Sequence, residues 1–94
     1  MEPNDILDNA QNAIATGAQA HGDATVLFNL IAERWTLTLL QRHGITSTLT
    51  PADVAMLMID FKVARAIANP THADNTVDIA GYAALLGSFT ASKA

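Results

Sequence analysis

Residues 50–70 read TPADVAMLMIDFKVARAIANP, and this stretch decides the fold. Thr50 is an N-cap residue, Pro51 stands at the first helical position, where a missing N–H costs nothing, and Asp53 follows the cap by three residues. Asn69-Pro70 stops the helix, because a residue before proline is driven out of the helical region. The spacing predicts one helix over 51–68. Apolar residues lie on nearly every side of it, as a central helix contacted on several faces requires.

The flanking segments read as helix too. Asn4 and Asp5 start a first helix with Ile6, Leu7, Ala10, Ala13 and Ile14 at helical spacing, and the segment 16–22, with Gly17, ends it. Asp23 or Thr25 caps a second, carrying Val26, Leu27, Leu30, Ile31, Trp35, Leu37, Leu39 and Leu40 and closing on Gly44. After Pro70 a fourth helix runs from Asp74 or Asn75 to Ser88, with Gly81 in its middle at a cost of about 1 kcal/mol relative to alanine. A glycine there points to close approach of another backbone or a ligand. Only 45–49 leans towards strand, and 90–94 reads as a frayed tail. The expectation is a single all-α, four-helix domain over residues 1–94.

Composition narrows the classes. Half of the 94 residues are apolar and 15% are charged. So large an apolar share in so small a chain calls for self-association, and a homo-oligomer through apolar helix faces is expected. No run approaches the roughly 20 apolar residues that span a bilayer, so no membrane partner is expected. The acidic N-terminus lacks the basic start of a signal peptide, and the location expected is the cytoplasm. There is no cysteine, and the net charge is −4. Five scattered basic residues do not suit a nucleic-acid duplex, where affinity comes from many phosphate contacts.

Candidate chemistry gathers between residues 60 and 86. Lys62 and Arg65 are three apart, so their side chains leave neighbouring positions of one helix among apolar residues. Two cations there need partners. One reading is a phosphate or nucleotide site, with Arg65 as a fork and Lys62 as a point charge. The other is internal salt bridging to Asp74 or Asp78. Those aspartates lie one turn apart, with Tyr82 a turn further on, able to stack on a base or to fill core. His21 stands in a loop entering a helix N-terminus, a natural place for an anion or merely a turn. The histidines lack paired ligand spacing, so no metal or cofactor is expected.

From Phe28-x-x-Ile31-Ala32-x-x-Trp35, through Thr50-Pro51-x-Asp53-Val54-Ala55 and Lys62-Val63-Ala64-Arg65, to Asn69-Pro70-x-His72-x-Asp74 and Val77-Asp78-Ile79-Ala80-Gly81-Tyr82-Ala83, the chain resembles a family of small proteins carried by tailed phages and prophages. The likeness covers about residues 20–88 and is most specific from Lys62 to Ala83. That family usually has tyrosine-glycine where this chain has His21-Gly22. The ending around Asp78-x-x-Gly81-Tyr82-Ala83 also looks distantly like the last helix of the MazG-like all-α nucleoside triphosphate pyrophosphatases. That resemblance implies a MazG-like bundle, with Asp78 matching the final-helix aspartate and Glu33 and Asp60 standing for acids of earlier helices. The paired-acid motif that holds magnesium there is missing.

Three functions are therefore weighed. The leading one is a phage protein, in the cytoplasm of the infected or lysogenic bacterium, that sequesters a nucleotide or nucleotide-derived host-defence signal without turnover, using Lys62, Arg65, Asp74, Asp78, Tyr82 and His21. The second is a magnesium-dependent pyrophosphohydrolase acting through Asp78. The third is a helical protein-interaction module, in which the same charges only lock helices together.

Overall fold

The computed structural model describes residues 1–91 and holds four α-helices: α1 (Pro3–His21), α2 (Ala24–His43), α3 (Pro51–Ala68) and α4 (Ala73–Thr90). Their ends follow from local chemistry. The Glu2 N–H donates to Asp5 Oδ2 at 3.1 Å as α1 begins at Pro3. Asp23 Oδ1 accepts from the Thr25 N–H at 2.7 Å to start α2. Gly44 ends α2 at φ 67°, the left-handed region glycine enters freely, and donates to Leu40 O at 2.9 Å. At α3 the expected capping box is present in both directions: Thr50 N–H to Asp53 Oδ2 at 2.8 Å, and Asp53 N–H to Thr50 Oγ1 at 3.2 Å.

Two sequence expectations are corrected at these ends. α1 runs through Gly17 to His21 and stops at Gly22 with φ 80°, within the segment 16–22 expected to end it. A single helical glycine costs only about 1 kcal/mol, and the alanines at 15, 18 and 20 are strong helix formers. His21 is thus the last residue of a helix rather than part of a loop. The helix α4 also runs two residues beyond Ser88, to Thr90. Of the tail expected to fray, Thr90 is helical and Ala91 caps α4 by donating to Gly87 O at 2.9 Å, while 92–94 lie outside the described residues.

The core is small and lies between α2, α3 and α4. Phe28, Ala32, Val54 and Ala55 are buried, with Leu27, Ile31, Trp35, Leu49, Met58, Tyr82, Leu85, Leu86 and Phe89 packed against them. The Phe28 ring meets Phe89 at 5.3 Å and Tyr82 at 6.3 Å between centroids, tilted in both cases. The α2–α3 connector forms no strand; Leu49 N–H donates to Thr36 Oγ1 at 2.9 Å, which holds it against α2.

α3 packs most broadly against α4, and α4 also carries α1. The picture of α3 as a helix wrapped on several faces is corrected: Met56, Leu57, Phe61, Val63 and Ile67 are exposed, Ile67 to 78%. Only its α2/α4 side is covered, because a bundle this short leaves no further helix to cover the rest. Among the described residues no helix is long and apolar enough to cross a membrane.

Candidate functional site

A cleft of about 220 Å³ opens between α1, α2 and α4. His21 stands at its α1 end, Phe28 and Leu27 form the α2 wall, and Asp78, Gly81 and Tyr82 line the α4 side. A shallower groove between α1 and α4 shares Ala13, Gly17, His21, Val77 and Asp78 with it and adds Asn9, Asn12, Thr16 and Asp74. The helical repeat explains the assembly. Asp74, Asp78 and Tyr82 are successive turns of α4, and Ala13, Gly17 and His21 are successive turns of α1. The two rows face each other across the opening.

Four of the six residues singled out in the sequence therefore meet around one opening: His21, Asp74, Asp78 and Tyr82. A fifth, Lys62, reaches it from behind. Its Nζ lies 2.7 Å from Asp78 Oδ2, and its side chain is 15% exposed. The pair joins α3 to α4 and fixes the carboxylate's direction, while Asp78 keeps a second oxygen for a further donor. The internal ion pair weighed in the sequence is thus the one Lys62 makes. Asp74 Oδ2 instead lies 3.6 Å from His72 Nε2 on the surface.

The sixth residue stands apart. Arg65 is exposed, its guanidinium 5.4 Å from the centre of the Phe61 ring, and it does not line the cleft. Lys62 and Arg65 leave α3 three residues apart, yet one turns to α4 and the other lies along the helix surface. Glu33 and Asp60 are exposed on α2 and α3. Among the described residues no three of His, Cys, Asp and Glu come together as metal ligands would.

Two features of the cleft were not read in the sequence. One is the aromatic wall: Phe28 is a core residue whose ring also lines the opening. The other is Gly17 as the partner of Gly81, a glycine the sequence already marks for close approach of another backbone or a ligand. Gly17 on α1 and Gly81 on α4 both line the cleft. A Cβ added at Gly17 meets no atom within 4 Å, and one added at Gly81 meets only Ile14 Cγ1 at 4.0 Å. Neither has the positive φ that demands glycine. Glycine here serves neither backbone geometry nor a tight contact within the chain; it keeps space open. The signal was available as a helical glycine four residues from Ala13 and four from His21.

Comparison with known proteins places the chain in a family but not on a known activity. Over 82 residues it is 42% identical to the "Gene 55 protein" of Mycobacterium phage L5, a match that takes in 86% of this chain. The chain spans about half the length of that relative, the match covering 49% of it. No solved structure matches. The likeness to the pyrophosphatase bundle therefore rests on the sequence motif alone. A family model described as "Domain of unknown function (DUF6378)" matches residues 5–90, nearly the whole chain, and the chain belongs to that family.

Proposed function

We propose that this protein is a non-catalytic binder of a nucleotide or nucleotide-derived molecule, with the ring of the ligand in the cleft between α1, α2 and α4. The observation that carries the reading is the space kept open by Gly17 and Gly81 beside the Phe28 and Tyr82 rings. Helical glycine costs about 1 kcal/mol against alanine, and two such costs facing one cleft are accounted for by an occupant. The lining is mostly apolar with a few convergent polar groups, the usual make-up of a small-molecule site.

Each side chain then has a role. Tyr82 and Phe28 offer aromatic contact to a flat ring. Asp78, held by Lys62, accepts hydrogen bonds from ring or sugar donors, and His21 closes the mouth. Lys62 is a positioning residue. Arg65 has no part in this arrangement. Sequestration by a phage of a host signal built on a nucleotide is the setting that fits a binder without a catalytic cluster.

Isothermal titration with nucleoside mono- and triphosphates, cyclic dinucleotides and ADP-ribose tests the reading. One of these gives saturable binding. Tyr82→Leu weakens it by about tenfold, the loss expected for one aromatic contact, and Arg65→Ala leaves it unchanged. Absence of binding across the panel, or binding indifferent to Tyr82→Leu, would overturn the proposal.

A further inference from the structure

The apolar surface of this protein is concentrated on one side. Ten of the twelve exposed large hydrophobics belong to α2, α3 and their connector; Met1 and Leu7, at and near the start of α1, are the other two, and α4 contributes none. On α2 they form a stripe. Val26, Leu30, Leu37 and Leu40 follow a spacing of four, seven and three, which at 3.6 residues per turn places them on one line. That line is opposite the face that buries Phe28 and Ala32. On α3, Met56, Val63 and Ile67 form a second line, pointing away from buried Val54 and Ala55. Both helices thus carry two apolar faces, and the chain itself covers one of each.

Each outer line is interrupted by a single acid, Glu33 on α2 and Asp60 on α3. On α2 the exposed Arg34 stands beside Glu33, whereas Arg65 leaves α3 on the side of Val54, away from the outer line. Among the described residues none of these four takes part in an ion pair. An acid and an arginine side by side on α2, Glu33 and Arg34, answer each other across a twofold axis, as an isologous interface requires.

The dimensions agree. The accessible surface is 6573 Å², where a folded monomer of 9.9 kDa exposes about 5,200 Å². The radius of gyration is 14.6 Å, against about 12 Å for a domain of this length. The surplus, about 1,400 Å², is in the range one subunit buries in a homodimer whose total interface exceeds 2,000 Å².

We infer that the outer faces of α2 and α3 form an isologous interface with a second copy of this chain, with Glu33 answered by Arg34 of the other copy. The cleft lies between the other helix faces, so this interface stands independently of any ligand. Sedimentation equilibrium across a wide range of protein concentration gives a particle of twice 9.9 kDa. Leu30→Glu with Val63→Glu reduces it to one chain, and Leu7→Glu, equally exposed on α1, leaves it paired. Charge reversal adds a test of partner identity that also reports folding. The Arg34→Glu and Glu33→Arg variants are each monomeric, and mixing them restores the paired mass. A wild-type monomer at every concentration, a dimer that survives Leu30→Glu/Val63→Glu, or failure of the mixed variants to pair would overturn the inference.

Discussion

The α1–α4 half and the α2–α3 half of this small bundle put their apolar residues to different ends. α4 exposes no large hydrophobic side chain, because α1 and α3 cover it on two sides. Where α1 and α4 separate, the gap is lined by small residues and ringed by His21, Asp74, Asp78 and Tyr82. α2 and α3 meet over a handful of buried residues and leave long apolar lines outside. A helix with one apolar face is satisfied by its own chain; a helix with two is unfinished until something else packs on it. The difference separates a side suited to a small ligand from a side suited to a protein.

The most disruptive way to break this comparison is through the residue that both halves share. Phe28 packs on Phe89 and Tyr82 in the core and lines the cleft. Phe28→Ala is expected to cost about 3–4 kcal/mol, read from the urea midpoint, and to abolish ligand binding as well. Loss of one property without the other would show that the halves are less coupled than the packing indicates.

Next in size is the junction between α3 and α4. Lys62→Met leaves Asp78 without its cation in a partly covered position, a loss of about 2 kcal/mol, between the values for exposed and buried pairs. Adding Asp78→Leu should recover part of that loss in a double-mutant cycle. A Lys62→Met chain as stable as the parent would mean the 2.7 Å contact is solvated and contributes little.

The smallest effects sharpen the contrast best. Leu7 and Leu30 are exposed to 60% and 55% in one chain, so isolated truncation should cost the same at either site. Leu7→Ala is expected to stay within about 0.5 kcal/mol. Leu30→Ala should cost at least about 1 kcal/mol at concentrations where the dimer forms, and converge on Leu7→Ala on dilution. Equal effects at all concentrations would remove the distinction between the two sides.

Much of this organisation was legible in the sequence, for reasons that differ by element. The ends of α2 and α3 were readable because Asp23, Gly44, Thr50 and Asp53 act locally, through bonds within a turn of themselves. The grouping of Asp74, Asp78 and Tyr82 followed from helical spacing alone. What failed required knowledge of neighbours. α3 looked wrapped because apolar residues surround it, and periodicity cannot tell a face covered by the same chain from a face awaiting another. Lys62 and Arg65 looked like a pair because three residues place them side by side, and both lie near the Phe61 ring; that Asp78 pairs with Lys62 alone depends on how α4 crosses α3. Gly17 read only as a weak point of α1, since its value as open space appears only once α4 lies opposite.

The central claim, that the cleft is held open for a ligand, is tested most directly by closing it with two methyl groups. In the Gly17→Ala/Gly81→Ala variant, thermal denaturation without ligand should show a higher midpoint, each alanine adding up to about 1 kcal/mol, or about 4–8 °C in a domain this size. The same scan with the nucleotide that binds the parent chain should show its stabilising shift lost. A variant destabilised without ligand would mean the glycines serve packing, and a stabilised variant that keeps the full ligand shift would mean the ligand sits elsewhere; either result contradicts the account.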